Sequence, residues 1–145
     1  MMNTSSCRNT YLSLGSNLGD PKTNLLYAIS LINQEQDIRI ISSSSYYLTS
    51  PLEYREQNHF INCVIQIQTD IEPLELLKRM QQIEQKIGNE KPFRYGPRKI
   101  DIDIILYGDT ILNTHKLQIP HPKMHERRFV LIPLAELNPR ARHPV

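Results

Sequence analysis

Asp101 and Asp103 stand two apart in the run Lys99-Ile100-Asp101-Ile102-Asp103-Ile104-Ile105. Alternate residues of a β-strand share a face, so the two carboxylates would sit side by side with Cα atoms roughly 6–7 Å apart. Like charges at that spacing repel unless a cation lies between or in front of them. A hard divalent ion such as Mg²⁺ takes oxygen ligands, commonly one or two protein carboxylates, and leaves its other positions to water and substrate phosphates. The residues just upstream carry the complementary charge. Arg94-Tyr95-Gly96-Pro97-Arg98-Lys99 is a basic segment shaped by Gly and Pro that leads directly into the pair. Arginines there would meet phosphate oxygens while a metal bridges the phosphates to Asp. Taken alone, the Asp-x-Asp pair better suits an edge strand guarded by charge, or ion pairs with Lys99 and nearby arginines; the basic segment before it tips the reading toward a metal and phosphate site.

The elements that must hold this pair are legible from periodicity. Residues 1–9 read as a flexible tail, and residues 10–15 alternate as a strand ending in Gly15. Asp20 suits an N-cap and Pro21 a first helical position, and Leu25, Ala28, Ile29 and Ile32 then follow at helical spacing. The spacing predicts a helix over 21–34. Residues 38–48 read as one strand that becomes polar. Residues 59–69 alternate, with Ile61, Cys63, Ile65 and Ile67 on a core face and Phe60, Asn62, Val64, Gln66 and Gln68 on a half-polar one. Pro73 opens a second helix, over 73–87, which Gly88 stops. The strand 99–107 puts Ile100, Ile102, Ile104 and Leu106 on one face and Lys99, Asp101, Asp103 and Ile105 on the other. The segment 116–120 suits a short strand, and 127–137 a helix kinked or restarted at Pro133. The order β-α-β-β-α-β predicts an α+β ferredoxin-like sandwich, with helices on one face of an antiparallel sheet and the site on the other.

The chain has 145 residues, 39% apolar and 22% charged, which suits one domain over residues 10–145. A net charge of +2 is too small to argue for nucleic acid, and carboxylates on the exposed face of a central strand would repel a phosphate backbone. Basic residues do gather locally, at 86–99 and at Arg127, Arg128, Arg140 and Arg142, as a solvated surface or an anion site would have them. Cys7 and Cys63 make neither a disulfide framework nor a metal set. The N-terminal segment lacks the apolar stretch of a signal peptide, and no apolar run approaches membrane-spanning length. The expectation is a cytoplasmic monomer with no membrane or nucleic-acid partner.

The stretch from Arg94 to Ile105 closely resembles the signature of the 6-hydroxymethyl-7,8-dihydropterin pyrophosphokinases of folate biosynthesis. Leu14 to Asp20, Tyr46 to Leu52, Phe60 to Val64, Gln81 to Glu84, Ile119 to Phe129 and Pro133 to Leu137 align with further motifs of that family in the same order. The resemblance implies transfer of pyrophosphate from ATP to the pterin's hydroxymethyl oxygen, with AMP leaving and no covalent enzyme intermediate. It implies that Asp101 and Asp103 hold two Mg²⁺ ions, with Arg98 beside them in catalysis. It implies a pterin site of Thr49, Leu52, Phe60, Asn62, Tyr95 and Phe129, and an ATP site of Gln81, Glu84, Arg94, Arg98, Ile104, Lys116, His121 and Arg127. The chain departs from the pattern at three places. Many members carry an Arg-x-Arg pair after the glycine that ends the second helix, whereas here Gly88-Asn89-Glu90-Lys91 is a residue shorter and lacks it. Pro122 stands where an aromatic often follows the histidine, and Ser50 where the pterin loop has proline. The segment 88–94 is therefore what separates a full enzyme from a paralogue that binds both ligands with little turnover.

Overall fold

The computed structural model describes residues 8–49, 59–88 and 99–141. Along these residues run β1 (Arg8–Ser16), α1 (Pro21–Gln34), β2 (Ile38–Ser43), β3 (Tyr47–Thr49), β4 (Phe60–Thr69), α2 (Pro73–Ile87), β5 (Asp101–Tyr107), β6 (Leu112–Asn113), β7 (Gln118–Ile119) and α3 (Arg128–Leu137), with a 3-10 turn at Met124–Glu126. Local chemistry sets the helix ends. The Asp20 carboxylate accepts the Thr23 N–H at 3.3 Å with Pro21 in the first turn, and Gly88 closes α2 with φ of 93°. Among the described residues no helix is long and apolar enough to cross a membrane.

The main sheet is antiparallel, in the order β2-β4-β1-β5, with β3 pairing beyond β2 on the same edge of β4. This is the ferredoxin-like arrangement expected from the βαββαβ order. β1 and β4 are the inner strands, and β5 is an edge. One sheet face is covered by α1 and α2. Leu12, Leu14, Cys63, Ile65, Ile67, Ile102 and Ile104 from the strands bury there with Leu25, Ile32, Leu76 and Met80 from the helices.

Helices do not keep to one face, however. The apolar stripe of α3 and the 3-10 turn cover one end of the opposite face, where Met124, Val130 and Leu134 bury with Tyr11, Val64, Ile105 and Leu106. Among the described residues, the other end of that face is left uncovered by helices. α3 runs through Pro133 as a single helix, giving up one backbone hydrogen bond there while Val130 and Leu134 on either side are buried.

Three further details depart from the periodicity. β1 begins at Arg8, inside the segment expected to be tail, because its residues continue the pairing with Gln68 and Thr69. The strand expected over 38–48 is two strands. Ser44 interrupts it by accepting the Val64 N–H with its own hydroxyl, at 2.9 Å. In β5, Tyr11 pairs with Leu106 and Leu12 with Ile104, so Ile105 is an inserted bulge residue. The bulge reverses the alternation beyond it. Leu106 therefore joins Ile105 under α3, not the isoleucine face, and Tyr107 turns to the helix-covered core instead.

Candidate active site

The open end of the face is organised in rows by strand register. Gly15 of β1 lies opposite Asn62 of β4 on one side and Asp101 of β5 on the other. The neighbouring row is Val64, Ser13 and Asp103. Phe60 belongs to the same face of β4, and Thr49 of β3 lies opposite it. The pleat thus carries Phe60, Asn62, Asp101 and Asp103 on one surface, as the alternation required.

Asn62 is buried and its side chain is fixed. Its Nδ2 donates to Thr49 Oγ1 at 2.5 Å, which ties β3 to β4 where the pterin loop would begin. β3 is in turn held by α3, since Glu136 accepts hydrogen bonds from the Tyr47 hydroxyl and from the Ser45 N–H at 2.8 Å. These contacts hold the Tyr47 phenol above its ordinary pKa and the Glu136 carboxyl below its own.

On the β5 side, Arg127 places Nη1 at 4.0 Å from Asp103 Oδ2, and its guanidinium lies 5.4 Å from the centre of the Phe129 ring. One arginine therefore links the carboxylate row to an aromatic at the start of α3. The outer edge of β5 is not left bare. The buried Glu84 carboxylate of α2 accepts the Ile102 N–H at 2.9 Å, and the Ile105 carbonyl accepts the His121 N–H at 3.0 Å. His121 Nδ1 accepts the Lys123 N–H at 3.2 Å, so the neutral ring carries its proton on Nε2. Burial, with help from Arg127 and Lys123, pulls the His121 pKa down to about 4 and keeps the ring neutral near pH 7.

A cleft of about 290 Å³ runs beside this edge, lined by Ile102, Asp103, Ile104, Lys116 and His121 together with Leu77, Thr114, His115, Leu117, Gln118 and Pro122. Four of the residues assigned to a nucleotide or metal site thus converge: Asp103, Ile104, Lys116 and His121. Gln81 is exposed on α2 and does not line the cleft. Glu84 is turned inward onto the β5 backbone. Leu52, Arg94, Tyr95 and Arg98 lie outside the described residues, as does most of the segment 88–94. Periodicity missed Thr114, His115 and Gln118, which enter through the β6–β7 hairpin. Their signal was the short strand expected at 116–120, which needed a partner strand and hence a turn above β5. A larger hollow of about 530 Å³, lined by Asp70, Glu72 and Tyr107 among others, gathers none of the assigned groups.

The donor set suits a hard cation. Asp101 and Asp103 offer carboxylate oxygens side by side, as Mg²⁺ prefers. Among the described residues no group of three or more His, Cys, Asp or Glu side chains could hold a metal; a hard cation on two carboxylates leaves its other positions to water and phosphate oxygens.

The family model for 7,8-dihydro-6-hydroxymethylpterin-pyrophosphokinase matches residues 11–139. The chain is 43% identical to the 2-amino-4-hydroxy-6-hydroxymethyldihydropteridine pyrophosphokinase of Bacillus subtilis over 127 residues, 88% of this chain and 76% of that protein. It is 48% identical to the folic acid synthesis protein FOL1 of Dictyostelium discoideum over 134 residues, 92% of this chain but only 20% of that longer protein. The fold matches the crystal structure of Plasmodium falciparum HPPK-DHPS with pteroate at a TM-score of 0.74 and 16% identity, over 94% of this chain and 40% of that one. The chain belongs to the 7,8-dihydro-6-hydroxymethylpterin-pyrophosphokinase family.

Proposed function

We propose that the open face transfers the β- and γ-phosphates of ATP, as one unit, to the hydroxymethyl oxygen of 6-hydroxymethyl-7,8-dihydropterin. The alcohol oxygen forms a bond to Pβ and loses its proton, the bond from Pβ to the α–β bridging oxygen breaks, and AMP leaves. The family supports the reaction class, and the arrangement of side chains supports the division of labour.

Pterin binds over β4 and β1, where the Asn62 amide can both donate to and accept from the ring edge. Phe60 and Phe129 flank the ring, with Thr49, Leu52 and Tyr95 completing that site. ATP occupies the β5 edge. His121 donates from Nε2, and Lys116 and Arg127 meet phosphate oxygens, with Arg127 exchanging Asp103 for the nucleotide. Gln81, Glu84, Arg94, Arg98 and Ile104 make up the rest of the nucleotide set. Glu84 serves it from behind, by fixing the backbone of Ile102 between the two aspartates. Asp101 and Asp103 would hold two Mg²⁺ ions, which when bound neutralise charge developing on the phosphates. The chain's share is placement of two reactants and electrostatics. Cys63 is no nucleophile here, because it is buried on the helix-covered side and burial pushes its thiol up to about 12.

The observation that carries this reading is the row Asn62, Gly15, Asp101. A group that reads pterin edges and a group that holds metal stand two strands apart, about 10 Å, across one open surface. An AMP-release assay with ATP, Mg²⁺ and the dihydropterin tests it. AMP formation that requires the dihydropterin is the expected result. AMP formation indifferent to it would overturn the reading.

A further inference from the structure

Gly15 sits at the centre of the row just described, on the strand that separates Asn62 from Asp101. Its backbone does not demand glycine. The positive-φ glycines among the described residues are Gly19, Gly88 and Gly108, and Gly15 is a paired strand residue. An alanine could adopt its conformation without strain.

Space is what excludes a side chain. A Cβ at Gly15 would lie 2.5 Å from Asn62 Oδ1, and the next nearest atoms are Asn62 Cγ at 3.5 Å and Phe60 Cδ1 at 3.6 Å. The first distance is far inside van der Waals contact, and the other two are ordinary. The clash is therefore with a single atom, the end of the Asn62 amide. That amide cannot easily give way. Its other end is bonded to Thr49 Oγ1 at 2.5 Å, and the residue is 4% exposed. Asn62 thus reaches from β4 across the top of β1 because Gly15 leaves the room.

We propose that Gly15 is a positioning residue for the dihydropterin, acting through Asn62: the absent side chain lets the amide lie over β1, where it meets the ring edge. The inference rests on the reading of this face as the pterin site. It gives Gly15 a role beyond its backbone conformation, which an alanine could adopt.

Four proteins test it: wild type, Gly15→Ala, Asn62→Ala and the double variant. Each is titrated calorimetrically with 6-hydroxymethyl-7,8-dihydropterin in the presence of a non-hydrolysable ATP analogue and Mg²⁺, and separately with the analogue and Mg²⁺ alone. Gly15→Ala should weaken the dihydropterin about tenfold or more, the scale of one disturbed hydrogen-bonding group, with the nucleotide affinity unchanged. In the double variant the alanine at 15 should add nothing to the loss from Asn62→Ala, because the atom it meets is gone. Equal weakening of both ligands, or an alanine effect that persists without Asn62, would overturn the inference. Should Gly15→Ala fail to fold, folding of the double variant would support the clash and failure of both would overturn it. Wild type that binds the dihydropterin no better than Gly15→Ala overturns the inference alone. Wild type that does not bind it at all overturns the site reading, and the inference with it.

Discussion

The two faces of one sheet are built on opposite terms. Toward α1 and α2, β1, β4 and β5 contribute Leu12, Leu14, Cys63, Ile65, Ile67, Ile102 and Ile104, all buried. At the open end of the other face the same strands contribute Gly15, Asn62, Asp101 and Asp103. Fully burying one Leu or Ile is worth about 1.5–3 kcal/mol. Two carboxylates about 6.5 Å apart repel by about 0.6 kcal/mol in water and about 2.5 kcal/mol at an effective dielectric constant of 20. One or two core isoleucines offset that repulsion. The lesson is a division: stability is concentrated on the helix-covered face, which lets the other carry like charges and a buried amide that a folding optimum would avoid.

If that division holds, substitutions on the two faces should have opposite signatures. The largest effect expected is for Asp103→Asn. It should lower AMP formation by about 10³-fold or more, equivalent to about 4 kcal/mol of lost transition-state stabilisation, with melting unchanged or slightly raised. Unchanged turnover would remove Asp103 from the site, and a large fall in melting temperature would break the division itself.

Ile67→Ala should do the reverse. Denaturant unfolding is expected to show a loss of about 3 kcal/mol, as for large-to-small changes at fully buried sites, while turnover per folded molecule stays within a few-fold. Loss of turnover without loss of stability would contradict the comparison.

His121 ties the site face to solution pH. Its pKa is about 4 in the folded chain and about 6.5 when unfolded. Between these values the unfolded chain binds more protons, so stability present above pH 6.5 is lost as pH falls through the window. The His121 share of that loss is at most about 2 kcal/mol between pH 7 and pH 5. It is read as the difference in pH slope between wild type and His121→Gln. Parallel slopes would place the ring in solvent, against the hydrogen bond its Nδ1 accepts from the Lys123 N–H.

Glu84 sharpens the boundary, since it sits in the helix layer but serves the strand that bears the aspartates. Glu84→Leu should cost about 1–3 kcal/mol by orphaning the Ile102 N–H, whereas Glu84→Gln keeps an acceptor and should cost less than about 1 kcal/mol. A Gln variant as unstable as Leu would show that the charge matters more than the bond.

The alternation of β4 was readable residue by residue, because it pairs with β1 in unbroken register and the bulge in its pairing with β2 falls on β2. β5 was readable only to Ile105. The bulge there arises from pairing with β1, and nothing in Ile-Ile-Leu-Tyr marks which residue is extra. Gly15 reads as the glycine that ends a strand. In place it is a strand residue whose meaning depends on a side chain 47 positions away. Glu84 shows the same limit. Its position on α2 was legible, but its direction was not, because the unpaired N–H that attracts it belongs to an edge strand that exists only once the sheet has formed.

The sequence by itself determined the two core helices, the main strands and their βαββαβ order, the apolar face of β4 and of β5 as far as Ile104, and the placing of Asp101 with Asp103 on the other face, since these follow from periods of 2 and 3.6 and from local caps. Tertiary structure alone decided that α3 covers one end of the site face, that the β6–β7 hairpin walls a cleft beside β5, that Arg127 reaches Asp103, and that Asn62 and Asp101 share one glycine between them. An amphipathic stripe says that a surface must be buried but not against what, and register between strands distant in sequence is set by the packing of the whole sheet.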